Sequence, residues 1–146
     1  MNLTDHFTLE EITFSQTAAR LGLDNTPSEA VIAALTRTAH GLEMVRVLLQ
    51  APILVSSGYR SRLVNRAVGG AANSQHILGE AADFTAPGFG PPEMIVRAIM
   101  RSTRPIPYDQ LIVEFGRWVH ISFAREPRRQ ALAIDHDGTT VIPQPA

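Results

Sequence analysis

A histidine and an aspartate lie seven residues apart in the stretch SQHILGEAAD, which spans residues 74–83. An imidazole nitrogen and a carboxylate oxygen both bind Zn²⁺. Seven residues correspond to two helical turns, a rise of about 10 Å, so His76 and Asp83 cannot hold one ion from the same helix. They converge if the chain turns at Gly79, which tolerates a positive φ, and if Asp83 lies on a strand that runs back past His76.

A third ligand must come from another part of the chain, and His120 in the stretch GRWVHIS is the best donor available. The chain contains no cysteine, so any zinc must be held by histidine and carboxylate side chains. Catalytic zinc sites typically have three protein ligands and leave one position for water. We therefore predict a site formed by His76, Asp83 and His120, with Zn²⁺ as the cofactor.

Two charged residues could complete a hydrolytic site. Glu114 follows an apolar run, where a carboxylate is costly unless it is paired or lies near a metal. It shares the strand parity of His120, and it comes near His120 on a continuous strand or across a hairpin that turns at residues 116–117. Glu114 is thus the candidate general base, which takes a proton from the attacking water. Arg60, just after a predicted strand, could stabilise the oxyanion that forms.

The pattern of apolar residues predicts helices and a small sheet. A capping box at residues 8–11 begins a short helix, and residues 15–21 form another that stops at Gly22. Thr26 is the predicted N-cap of a long helix over residues 27–49. The other predicted elements are a strand at 53–56, a helical turn at 62–68, a strand at 80–85, a helix at 93–101, a hairpin of strands 110–115 and 118–123, and one weak strand within 128–142. We predict an α+β fold with a small, mostly antiparallel sheet packed against helices.

Composition limits the possible functions. The chain has 146 residues, which fits a single domain over residues 1–146. Thirteen basic and 14 acidic residues give a net charge of −1, which argues against a nucleic-acid partner recognised through bulk charge. No apolar run is long enough to predict a membrane span. The polar, acidic N-terminus does not resemble a Sec signal peptide, so we expect synthesis in the cytoplasm.

The combined motifs carry a family resemblance. SQHILGEAAD fits the pattern S-x-H-x-x-G-x-A-x-D, with SGYRS and VGG before it and WVHIS after it. This pattern resembles the zinc D-alanyl-D-alanine carboxypeptidase family, which shares its fold with the hedgehog signalling domain, and most of all its phage-type cell-wall peptidases. The resemblance implies that His76, Asp83 and His120 are zinc ligands. It also implies that Arg60 binds substrate or the oxyanion, and that Ser74 either contacts substrate or supports a metal ligand.

One position departs from the family pattern. Several branches carry the catalytic carboxylate three residues before the last histidine, where this chain has Arg117. Glu114, six residues before His120, is similar to the hedgehog-like placement. Two further residues are candidates for substrate binding: Gln75 beside the first ligand, and Trp118 as a pocket wall.

These features lead to two functional hypotheses. The first is a zinc metallopeptidase that hydrolyses a peptide bond in peptidoglycan stem peptides or cross-links, as a D-Ala-D-Ala carboxypeptidase or an endolysin-type endopeptidase. The alternative is a catalytically weak zinc-containing module that binds a wall peptide or a protein partner. We expect a monomer that acts on the cell wall, with phage-type release as one route of delivery.

Overall fold

Six helices and six strands are found in residues 1–145, the part of the chain that the computed structural model describes. Ala146, the last residue of the predicted domain, lies outside the described residues. The helices are α1 (Leu9–Thr13), α2 (Gln16–Leu21), α3 (Glu29–Leu49), α4 (Arg62–Ala67), α5 (Gln75–Leu78) and α6 (Pro92–Arg101). The strands are β1 (Leu54–Ser57), β2 (Ala81–Thr85), β3 (Gln110–Glu114), β4 (Trp118–Ser122), β5 (Gln130–Asp135) and β6 (Gly138–Val141).

The strands form one sheet in the order β1-β2-β4-β3-β5-β6. Four of the five strand pairs are antiparallel, and only β3 and β5 run parallel. The predicted α+β architecture with a mostly antiparallel sheet is therefore confirmed. Among the described residues, no helix is both long enough and apolar enough to cross a bilayer.

The two faces of the sheet differ in chemistry because neighbouring side chains on a strand point in opposite directions. Val119 and Ile121 of β4 are fully buried in the hydrophobic core together with Leu35 and Leu42 of α3. His120 lies between these two core residues, so its side chain points to the opposite face. The alternation on β4 thus separates a packed apolar face from a face that carries polar, chemically active groups.

Two element predictions were wrong in detail. The long helix begins at Glu29, because the Ser28 hydroxyl accepts a hydrogen bond from the Val31 N–H and so forms the N-cap in place of Thr26. The segment 128–142 contains two strands in place of one weak strand. They are joined at the predicted Asp137–Gly138 turn, and the first of them pairs with β3.

Candidate metal centre

Asp83 and His120 are brought together by strand pairing. They are direct partners in the antiparallel register between β2 and β4, so their side chains lie side by side on the same face. His120 Nδ1 lies 2.9 Å from Asp83 Oδ1. Because β2 lies between β1 and β4, hydrogen bonds on both sides of the strand hold this pair in place.

His76 reaches the same point from the short helix α5. The Ser74 hydroxyl accepts a hydrogen bond from the His76 backbone N–H at 3.2 Å and caps the helix. Gly79 ends the helix with a φ of 76°. This is the turn that the sequence predicts, and it directs the chain into β2 so that Asp83 passes His76. His76 Nε2 lies 3.3 Å from Asp83 Oδ1.

The tautomer of His76 is set by a backbone carbonyl. His76 Nδ1 lies 2.7 Å from Gly58 O, and since a carbonyl can only accept, Nδ1 carries the proton and donates it. The lone pair of Nε2 is then directed toward Asp83 and available to a metal. Gly58 was not among the residues singled out from the sequence, because a backbone acceptor leaves no mark on residue type.

The geometry fits zinc. His76, Asp83 and His120 each offer one ligand atom, and these atoms all lie within 4.8 Å of one another. Two ligand atoms bound to zinc at about 2.0–2.1 Å with tetrahedral angles are separated by about 3.4 Å. The 3.3 Å separation between His76 Nε2 and Asp83 Oδ1 matches this spacing, and the 2.9 Å separation between His120 Nδ1 and Asp83 Oδ1 is about 0.5 Å shorter. The two imidazole rings are inclined at 67°, with their centroids 5.1 Å apart.

Asp83 is ionised at this site. Burial acts to raise the pKa of Asp83, but the neighbouring imidazoles of His120 and His76 outweigh it and hold that pKa well below its ordinary value. A carboxylate that stays ionised among two imidazoles supplies the negative charge that a divalent cation requires.

Glu114 lies beside the three ligands. It ends β3 opposite Trp118, and the indole Nε1–H donates a 3.1 Å hydrogen bond to Glu114 Oε2. Its other oxygen, Oε1, lies 3.9 Å from His120 Nδ1. Burial, followed by the nearby charge of Asp83, raises the pKa of Glu114, and this exceeds the lowering by His120. The β3–β4 hairpin thus brings Glu114 to the metal ligands, one of the two geometries considered from the sequence.

Arg60 is a positive group within electrostatic range of Asp83 and Glu114. Its backbone N–H donates to His76 O at 3.1 Å, which ties the segment after β1 to α5. Burial lowers the pKa of Arg60, and the charges of Asp83 and Glu114 partly offset that effect. Within the described residues, the buried Nε of Arg60 has no hydrogen-bond partner. The Nε–H is thus an unpaired donor that is buried away from solvent.

The remaining predicted site residues have structural contacts. Ser74 caps α5 as described above. The Gln75 amide nitrogen is 2.9 Å from Asp109 Oδ2 and 3.3 Å from Glu80 Oε1. Asp109 also binds Arg128 and connects α5 to the loop before β5. This connection could have been suspected from Asp109 alone, since it is a charged residue directly before an apolar strand.

The model of the family described as peptidase M15 matches residues 5–122, well over half of the chain. The chain belongs to the peptidase M15 family. No curated protein is similar enough to provide a further match. M15 proteins are zinc peptidases, and this M15 chain has a His-Asp-His group positioned to bind the ion, so the predicted cofactor is confirmed. Arg128, β5 and β6 lie beyond the matched residues.

Proposed function

We propose that this M15 peptidase hydrolyses a peptide bond in peptidoglycan, either within stem peptides or in their cross-links. The observation that carries the proposal is the joint placement of three metal ligands, Glu114 and Arg60 around one point of the sheet. The choice of peptidoglycan over other peptides rests on the resemblance of the SQHILGEAAD and WVHIS motifs to cell-wall carboxypeptidases.

The roles of the side chains follow from their chemistry. His76, Asp83 and His120 would hold the zinc ion, which would supply Lewis acidity to a water and to the substrate carbonyl. Glu114 accepts the proton of the attacking water and later delivers it to the leaving amine. The raised pKa of Glu114 suits both steps, because it brings proton affinity closer to neutrality.

In this proposal Arg60 stabilises negative charge on the substrate, and Trp118 positions the Glu114 carboxylate. The guanidinium charge of Arg60, within electrostatic range of Asp83 and Glu114, stabilises the developing oxyanion or a substrate carboxylate. Trp118 holds Glu114 through the indole N–H, so the carboxylate keeps one oxygen directed toward His120. In this proposal Ser74 and Gln75 support substrate binding by fixing α5 beside the cleft.

A Glu114→Gln variant tests the assignment of the general base. The amide keeps the size of the side chain but cannot accept the proton, so we expect kcat to fall by about 10²–10⁴-fold while zinc content is unchanged. The assay is release of fragments from purified sacculi, with mass spectrometry to identify the bond that is cut. Glu93→Gln, an exposed glutamate on α6, is the matched control and should keep full activity. Full activity in Glu114→Gln would refute the assignment.

A second candidate function is a zinc-containing module that binds a wall peptide with little or no cleavage. Arg117, which stands in the hairpin turn where several branches of the family carry a carboxylate, favours it. The same sacculus assay decides between the two: fragments that appear with zinc and disappear with a chelator establish hydrolysis. We also propose that the protein acts at the cell wall as a monomer, which sedimentation of the zinc-loaded protein tests.

A further inference from the structure

The turn between β3 and β4 has an unusual residue in a strained position. Phe115 and Gly116 have φ values of 55° and 64°, and the Arg117 N–H donates to Glu114 O at 3.0 Å. Positive φ at both central residues is the pattern of a type I′ turn, whose first central position strongly favours asparagine, aspartate or glycine. A bulky phenylalanine adopts this backbone only at a cost in conformational free energy.

Core packing does not account for this strain. Phe115 is 40% exposed and is not among the residues of the hydrophobic core, so only part of its area is removed from water. Its ring centroid lies 6.1 Å from that of Trp118 and 5.1 Å from that of His136, with tilts of 54° and 44°. His136 itself is exposed in the turn between β5 and β6. A strained residue that presents its side chain to solvent suggests a functional role for that side chain.

The three rings form a row that begins at the metal centre. Trp118 donates to Glu114, whose other oxygen is 3.9 Å from a metal-binding histidine. Phe115 follows Trp118, and His136 follows Phe115 at the surface. We call Trp118, Phe115 and His136 the aromatic strip. Its last member lies outside the residues matched by the family model, so the segment after residue 122 completes it.

We propose that the aromatic strip is a substrate subsite that binds a CH-rich, non-reacting part of the substrate next to the scissile bond. Aromatic faces pack well against such groups, and contacts away from the reacting atoms supply binding energy. In peptidoglycan this chemistry comes from a sugar ring or from an aliphatic stem-peptide side chain. This inference rests on the proposed function, because it takes the ligand to be a wall fragment.

The key variant is Phe115→Asn, since asparagine suits the turn. We expect its Tm to rise by about 2–4 °C, while its dissociation constant for a wall fragment rises by about tenfold. Gln50→Asn is the matched control: Gln50 also has a positive φ, 50°, but it is exposed at the C-cap of α3. The control should gain similar stability without a change in affinity. His136→Ala should also weaken binding. This variant tests the proposal if Phe115→Asn does not fold.

Trp118 provides the readout, because it is the only tryptophan in the chain. Zinc-loaded protein is mixed with stem peptide alone or with the same peptide attached to its disaccharide, and fluorescence is read in the first seconds. A loss of affinity for both fragments assigns the strip to the peptide, and a loss only for the disaccharide form assigns it to sugar. Unchanged affinity in Phe115→Asn and in His136→Ala, or no fluorescence response in the wild type, overturns the proposal.

These measurements distinguish a failure of the proposed subsite from a failure of the proposed peptidase activity. A wild type that binds fragments in a Phe115-dependent manner but never cleaves them refutes the proposed peptidase activity and keeps the subsite. A wild type that cleaves normally while Phe115→Asn and His136→Ala both bind as tightly as the wild type refutes the subsite and keeps the activity.

Discussion

Replacing Asp109 with alanine should destabilise the protein by about 3 kcal/mol. The carboxylate side chain is only 3% exposed. It accepts hydrogen bonds from the backbone N–H, Nε and Nη2 of Arg128 at 2.7–2.9 Å, and one from the Gln75 amide at 2.9 Å. Loss of the acceptor leaves the Arg128 N–H unpaired and leaves the Gln75 amide with only its longer 3.3 Å contact to Glu80, at about 1 kcal/mol or more each. The Arg128 side chain is 56% exposed, so the ion pair itself adds less than about 1 kcal/mol.

Chemical denaturation at pH 7 measures this loss, and thermal denaturation should show a Tm lower by about 6–12 °C. Asp137→Ala is the matched control, since Asp137 is exposed and should change stability by less than about 0.5 kcal/mol. A difference between Asp109→Ala and the wild type of under 1 kcal/mol would show that water replaces the lost acceptor, and the reasoning would then be wrong.

The same contacts set a pH dependence. Hydrogen bonds from Arg128 lower the pKa of Asp109 below its ordinary value of 3.8, against the opposing effect of burial. A folded-state pKa below the unfolded one means that the stabilisation is complete above about pH 4 and is lost as the pH falls through the folded-state pKa. The difference in the free energy of unfolding between the wild type and Asp109→Asn should therefore become smaller in acid. Both proteins are measured with a chelator, so that metal release does not contribute, and a gap that stays constant below pH 4 contradicts this account.

Two further predictions concern the metal centre. His76→Ala should lose most of its zinc, measured by elemental analysis after dialysis, whereas His40→Ala, an exposed histidine on α3, should retain it; equal zinc in both would remove His76 from the ligands. Gly58→Ala should lower stability by about 2 kcal/mol or more and reduce zinc content, because the new Cβ would lie 2.2 Å from the Ile12 carbonyl oxygen. A Gly58→Ala protein with wild-type Tm and zinc would show that the loop adjusts freely.

Much of the fold could be predicted because local patterns determined it. The β3–β4 hairpin follows from two apolar runs on either side of Gly116, and the caps at Thr8 and Ser15 form as their residue types suggest. The start of α3 was misplaced because Thr26 and Ser28 are both good caps. The structure shows that the Ser28 hydroxyl accepts from the Val31 N–H, so the helix begins after Ser28. The pairing of β5 with β3 depends on residues about 20 positions apart, and no local pattern reveals it.

The metal site likewise contains features that could be predicted from the sequence and features that could not. The convergence of His76 and Asp83 could be predicted because Gly79 permits the one turn that brings them together. The contribution of Gly58 could not, since any residue type offers a carbonyl oxygen to the His76 ring. The strain at Phe115 was equally hidden, because the sequence suggests a turn at residues 116–117 and does not place a positive φ on the phenylalanine.

The three metal ligands are held in place in two different ways. Asp83 and His120 are register partners in the middle of the sheet, so their spacing changes only if the sheet changes. His76 depends instead on α5, where Gly79 packs so closely on α3 that an added Cβ would lie 2.9 Å from the Val31 carbonyl oxygen. The third ligand is thus positioned by a helix-to-helix contact and by the Gly58 carbonyl, together with the packing of α5 on β2. Small shifts in α5 would change the metal geometry while the Asp83–His120 pair stays fixed. The hydrogen bond from Gln75 to Asp109 ties α5 at its other end and limits such shifts.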